Sequence, residues 1–217
     1  MGNEERLRRI GAIGDIHAED ARLETALRFL KGQNLDLMVA VGDITDGPGD
    51  VGRCCELLRA YQVAAVRGNH ERWFLRGVMR DLPDATESVD DRTWAYLVSL
   101  PLTRDFETVA GRLMLCHGLA HYDMGGASPG NSGNDLESLM VLDEIRKSGE
   151  SRFIINGHTH RRMVRSFDGL TIINAGTIFR QHEPCFLIAD FEAGHVQFYD
   201  LGDNALVTEG ELFQLPR

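Results

Sequence analysis

Five times along this chain an apolar run gives way to a short segment of aspartate, asparagine or histidine. The segments are Gly14–His17 (GDIH), Gly42–Asp46 (GDITD), Gly68–Glu71 (GNHE), Cys116–Gly118 (CHG) and Gly157–His160 (GHTH). In α/β sheets sites gather beyond the carboxyl ends of the strands, so five such ends could converge on one place without being close in sequence. Of the eight histidines, His17, His70, His117, His158 and His160 fall inside these segments and only His121, His182 and His195 fall outside. Surface histidines scattered by chance would not track strand ends.

The first third alternates strand and helix. Residues 8–13 read as a short strand ending at Gly14-Asp15, and residues 19–31 place Ala21, Leu23, Leu27 and Leu30 near one helical face. Leu35 to Val41 is an apolar strand broken only by Asp36, as suits burial on both faces. Residues 50–61 predict a helix with Leu57 and Leu58 inward, and Val63 to Val66 a third strand. This order implies parallel pairing through right-handed crossovers.

The middle differs. Residues 71–100 predict two helices around a polar stretch near 83–91, with Trp73 and Trp94 read as core aromatics in preference to lining a pocket. Residues 103–116 predict a hairpin turning at Ala110-Gly111, and residues 118–134 a long Gly/Ser/Asn-rich loop, a kind that is usually functional or mobile. Residues 135–147 predict a helix capped by Asn134 or Asp135, with Glu137 and Asp143 on its solvated face. The last third predicts strands at 153–156, 163–167, 170–174, 186–191 and 196–199, with a hairpin turn at Asp168-Gly169. One domain, 1–217, is expected, with 73–107 as a helical insertion near the active site.

Composition narrows the function classes. A formal net charge of -10 argues against sequence-independent nucleic-acid binding, which relies on Lys and Arg displacing phosphate counterions. Ions held in an acid–histidine cluster would add local positive charge that this count omits. No run approaches the ~18 apolar residues of a membrane span. The opening residues are charged and lack the apolar segment of a secretory signal. Arg6 stands where a myristoylation signal needs Ser or Thr. Cys54, Cys55, Cys116 and Cys185 form no C-x-x-C pair, and are expected as reduced thiols in a cytoplasmic protein.

Asp15, His17, Asp43, Asn69, His117, His158 and His160 offer oxygen and imidazole nitrogen without thiolate. That set suits Mn, Fe, Zn, Co or Ni and is poor for Ca. A carboxylate such as Asp43 can bridge two ions, and ions ~3.5–4 Å apart can clamp a phosphoryl group. Taken singly, Asp15 and Asp43 could instead cap the following helices. His158 and His160 alternate as on an extended segment, so both reach one site only if the backbone bends.

Taken together and in order, D-x-H (Asp15, His17), G-D-x-x-D (Asp43, Asp46), G-N-H-E (Asn69, His70), a lone histidine before glycine (His117) and G-H-x-H (His158, His160) resemble the calcineurin-like metallophosphoesterase superfamily. The resemblance implies an α/β fold, a four-layer α/β/β/α sandwich of two mixed β-sheets. It implies two divalent or trivalent transition-metal ions, manganese first, with iron, zinc, nickel or cobalt as alternatives. Asp15, His17 and His160 would hold one ion, Asn69, His117 and His158 the other, and Asp43 would bridge them. His70 would protonate the leaving alkoxide, and Asp46 would orient and charge His70. The implied activity is hydrolysis of a phosphomonoester or phosphodiester by in-line attack of a metal-bridging hydroxide. The implied partner is a small phosphorylated substrate, nucleotides included, with no stable nucleic-acid binding and no membrane.

The phosphoprotein phosphatase branch reads G-D-x-x-D-R-G, but here Gly47 stands at the arginine's place and Ala18 where that branch often has glycine. Small bacterial phosphodiesterases of the superfamily lack that arginine too, and share an A-D-F strand near the end, here Ala189 to Phe191. The chain sits between the two branches. Arg67 reads as structural, Asn174 as support for a turn, and His121, Tyr122, Arg180 and His182 as substrate contacts or plain surface. The rival readings are a catalytically weak metal-binding scaffold of the same fold and a protein or dinucleotide phosphatase. The intact acid position, His70, speaks against the scaffold.

Overall fold

Alternate residues of the buried strands face two different cores, and this alternation builds the layers. A computed structural model of the chain describes residues 6–126 and 140–216. Its elements are β1 (Arg9–Ile13), α1 (Asp20–Lys31), β2 (Leu37–Ala40), α2 (Val51–Ala60), β3 (Ala64–Ala65), α3 (Asn69–Arg76), α4 (Asp91–Ser99), β4 (Thr103–Thr108), β5 (Gly111–Cys116), α5 (Met140–Ser148), β6 (Phe153–Asn156), β7 (Arg162–Phe167), β8 (Leu170–Ala175), β9 (Cys185–Asp190), β10 (His195–Leu201) and β11 (Val207–Gln214).

One sheet has the order β11-β10-β9-β1-β2-β3 and the other β4-β5-β6-β8-β7. The pairs β1–β2, β2–β3, β5–β6 and β6–β8 are parallel, and the flanking pairs are antiparallel, so both sheets are mixed. Ile10 and Ala12 of β1, Phe153 and Ile155 of β6, Ile173 of β8 and Leu187 and Ala189 of β9 meet in the core between the sheets. Their neighbours Ile13, Phe186 and Ile188 face outward onto α1 and α2, through Leu23, Leu27, Leu30, Cys54 and Leu58. On the other side, Ile154 and Ile172 face Leu142 and Ile145 of α5. This is the four-layer sandwich.

Several local expectations change. Ala21 is exposed, because α1 buries Leu23, Ala26, Leu27 and Leu30 instead. The first helix of the middle region starts at Asn69, not 71, with Gly68 as its N-cap. Residues 103–107, at the end of the expected helical insertion, lie in strand β4. Trp94 is 43% exposed and Trp73 half-buried, so neither is a core aromatic. Trp73 stacks near His70, with ring centroids 4.7 Å apart, and Trp94 edges against Phe74. Strand β11 is an additional edge strand. The four cysteines are buried and unpaired. Among the described residues no helix is long and apolar enough to cross a membrane. The cap expected at Asn134 or Asp135, Glu137 and the end of the 118–134 segment lie outside the described residues.

Candidate metal centre

The two sheets present their strand ends at one edge, and the five segments converge there. Asp15 follows β1, Asp43 follows β2, Asn69 and His70 open α3 after β3, His117 follows β5, and His158 and His160 follow β6. Neither Asp15 nor Asp43 caps the helix that follows it: Glu19 is the N-cap of α1, and the Asp50 carboxylate accepts the Arg53 N–H at 2.9 Å to cap α2, while Asp43 Oδ1 accepts the backbone N–H of His70 in the first turn of α3 at 2.9 Å.

Left-handed backbone makes the convergence possible. His17, Ala18, Asp43, Asp46, His158 and His160 all have φ between 45° and 68°. Such residues cost about 1–3 kcal/mol each and persist only where the surroundings hold them. The bends at His158 and His160 let both rings reach the site from one loop. Asn174 braces that loop: its Nδ2 donates to the Gly157 carbonyl at 2.6 Å, and its Oδ1 accepts from Gly176 N–H at 2.9 Å.

The donor atoms fall into two groups around Asp43. In one, Asp15, His17, Asp43 and His160 each offer an atom within 4.8 Å of the others, and the Nε2 atoms of His17 and His160 lie 3.0 Å apart. In the other, Asn69 Oδ1 lies 2.9 Å from His117 Nε2 and 3.0 Å from His158 Nδ1. Asp43 Oδ2 stands between the groups, 3.2 Å from His117 Nε2 and 3.9 Å from His17 Nε2. Donors ~2.1 Å from a common ion at octahedral or tetrahedral angles stand ~3.0–3.4 Å from each other, so these spacings fit transition-metal ions.

Tautomers support the same fit. His117 Nδ1 donates to the Val41 carbonyl at 2.9 Å and His17 Nδ1 to the Asp46 carbonyl at 2.9 Å. Each therefore turns an Nε2 that could ligate a metal toward the centre. Without an ion, buried charges are short of partners. Burial pushes the Asp15 carboxyl up to about 7, against the pull of His117. Asp43 is held well below the carboxylate range, because His117, His70 and His17 outweigh its burial. Burial works against a charge on His117 too, yet Asp43 and Asp15 hold its pKa at about 10. Burial keeps His17, His158 and His160 neutral, the last at about 3, which is the form that binds metals.

His70 stands apart from both groups. Its Nδ1 donates to Asp46 Oδ2 at 2.8 Å, and its Nε2 faces the centre, 3.9 Å from Asp43 Oδ2. Burial opposes its charged form, but Asp46 and Asp43 raise its pKa. Burial likewise opposes ionisation of Asp46, while His70 and Arg80 hold it at about 2.

Two residues with larger parts than the sequence suggested are Glu71 and Glu19. The Glu71 carboxylate is fully buried and accepts the backbone N–H groups of Asp43, Ile44, Thr45 and Gly68 at 2.6–2.9 Å. It fixes the Asp43 loop to the start of α3. Glu71→Ala strands these four donors and is expected to cost about 3 kcal/mol or more. Urea unfolding would check it, and a loss within 1 kcal/mol would contradict this role. Glu19 takes up Arg180 through Nε at 2.7 Å and Nη2 at 2.8 Å, so Arg180 is a structural residue, not a free substrate contact. His182 lies against His160, with ring centroids 4.6 Å apart, and His121 and Tyr122 are exposed. Arg72 clasps Asp123 bidentately, tying α3 to the loop beyond His117.

Comparison with known proteins agrees with this geometry. The family model described as the calcineurin-like phosphoesterase superfamily domain matches residues 9–194. The uncharacterized protein MJ0912 of Methanocaldococcus jannaschii is 24% identical over 190 residues, 82% of this chain and 73% of that protein. Serine/threonine-protein phosphatase 1 of Salmonella typhimurium is 43% identical over 70 residues, 31% of this chain and 32% of that one. The crystal structure of a metallophosphoesterase from Sphaerobacter thermophilus has a TM-score of 0.69 at 22% identity, covering 91% of this chain and 89% of that one.

Proposed function

This chain belongs to the calcineurin-like phosphoesterase superfamily, and from that premise we propose that it is a metal-dependent phosphoester hydrolase working with two ions. The observation that carries the reading is the placing of Asp43 Oδ2 between two groups of donors at metal-ligand spacing. Asp15, His17 and His160 would hold one ion, Asn69, His117 and His158 the other, and Asp43 both. Manganese is our first choice, with iron, zinc, nickel or cobalt chemically suited. Such ions supply a nucleophile from water at neutral pH and draw off phosphoryl charge.

The rest falls to the chain itself. His70, protonated at Nε2 and held through Nδ1 by Asp46, gives its proton to the leaving oxygen as the P–O bond breaks. Asp46 remains ionised and acts only as acceptor. We take the chain as a single domain acting on a small phosphorylated substrate.

The test is paired turnover of p-nitrophenyl phosphate and bis-p-nitrophenyl phosphate by stripped protein reloaded with Mn, Ni, Fe or Zn. Preference for the diester would place it with the phosphodiesterases. Preference for the monoester would favour a phosphatase, the reading that the local 43% identity with the Salmonella phosphatase supports. No turnover with any metal would overturn the proposal in favour of a scaffold.

Ion binding should also register in stability. Mn at about a hundred times its Kd stabilises the folded state by roughly 2.7 kcal/mol, ~5–10 °C in Tm for a chain of this size. Chelation should remove that increment. A melting curve indifferent to both would count against a built site.

A further inference from the structure

Position 47 cannot carry a side chain. A Cβ on Gly47 would fall 1.8 Å from the His17 carbonyl oxygen, because the Asp46–Gly47 backbone lies directly on the His17 turn. The cation that reaches Asp46 comes from another segment. The structure brings Arg80, from the 77–90 strap between α3 and α4. Both of its terminal nitrogens reach the carboxylate: Nη1 donates to Oδ2 at 3.2 Å and Nη2 donates to Oδ1. Thr86 of the same strap completes the clasp. Its N–H donates to Asp46 Oδ1 at 2.8 Å, and its Oγ1 accepts from the Asp46 N–H at 2.9 Å. The Arg80 guanidinium lies 5.7 Å from the ring centre of Phe74, one turn along α3 from His70.

These bonds decide how the carboxylate is presented. Oδ1 is occupied by Arg80 and Thr86, and Oδ2 is left facing His70 Nδ1. Rotation of the carboxylate would break the bidentate pair, whose two parallel bonds add geometric as well as electrostatic hold.

We propose that Arg80 is the positioning residue for proton transfer by His70, acting through Asp46 in the place where Gly47 can offer nothing. The inference rests on the reading of His70 as proton donor. It also points to a substrate class. Aiming a donor this firmly matters where the leaving oxygen needs a proton, as in esters of aliphatic alcohols, and little where it departs as nitrophenolate.

The experiment uses the Mn-loaded protein and its R80A, R80K, D46N and D46N/R80A variants. Substrates are matched alkyl and nitrophenyl esters, monoester or diester as the wild type prefers. R80A is expected to lower kcat on the alkyl ester about ten- to hundredfold, to change nitrophenyl turnover far less, and to leave KM unaltered. R80K should recover part of the loss, and adding R80A to D46N should cost little more. A rise in KM shared by both esters, or a full additional loss in the D46N background, would overturn the proposal and make Arg80 a substrate contact. A second readout is independent of turnover. On the Zn-loaded protein, whose diamagnetic ions leave proton lines sharp, the His70 Nδ1 proton should give a downfield NMR resonance in wild type and R80K that broadens in R80A. An unchanged resonance in R80A would overturn the proposal. A wild type inactive on every ester would instead defeat the hydrolase reading, and the NMR comparison alone would then decide whether Arg80 positions His70.

Discussion

Asp43→Asn is expected to lose at least one of two bound ions and roughly a thousandfold in turnover, the several kcal/mol that a metal clamp supplies to a phosphoryl transition state. The substitution keeps the shape, and the Asn Oδ1 can still accept the His70 N–H that Asp43 Oδ1 accepts at 2.9 Å. What changes is the atom at the Oδ2 position. An amide NH2 there would face His117 Nε2, now 3.2 Å away, and could ligate nothing. The neighbouring donors do not compensate, because Asp15 groups with His17 and His160, Asn69 groups with His117 and His158, and neither has the place of Asp43 Oδ2 between the two groups. Elemental analysis after reloading with Mn reads the first effect, and ester hydrolysis the second. Full occupancy by two ions would remove Asp43 from the bridging role.

His70→Asn should separate chemistry from metal binding. Neither ring nitrogen belongs to a donor group, since Nδ1 is committed to Asp46 and Nε2 stands 3.9 Å from Asp43 Oδ2. Both ions should therefore stay. Turnover of an alkyl ester is expected to fall by about 10²–10⁴, the usual contribution of a placed general acid. A nitrophenyl ester, whose leaving group needs no proton, should lose much less. Equal losses on the two esters would mean that His70 acts on the phosphoryl group or on the fold.

The candidate ligand residues were legible because they fall in five segments, each set by a strand end. An apolar run ending in glycine and a polar pair is a local signal, and five such signals on parallel strands must meet at one edge. The bend that His158 and His160 require is met by left-handed backbone at 68° and 58°, which no residue type there announces. The layers were less legible. Strands such as Phe153–Asn156 are buried on both faces, so their composition does not say which residues face the partner sheet and which face a helix. Strand β11 was hidden because an exposed edge strand reading VTEGELFQ carries charge and glycine instead of alternation. Arg80, Glu71 and Glu19 owe their importance to what approaches them from elsewhere. Arg80 lies 34 positions from Asp46, and Glu19 161 positions from Arg180. Nothing local marks an arginine that folding assigns to a buried carboxylate, or a glutamate that folding buries against a distant arginine.

On the function proposed here, one edge of this sandwich holds two ions that make it a phosphoester hydrolase. Its most direct test is titration of Mn into chelator-stripped protein, following bound metal and ester hydrolysis on the same samples. We expect saturation at two equivalents per chain, with turnover rising as the second site fills and vanishing again on chelation. Saturation at one equivalent or none, or hydrolysis unaffected by stripping, would contradict the account.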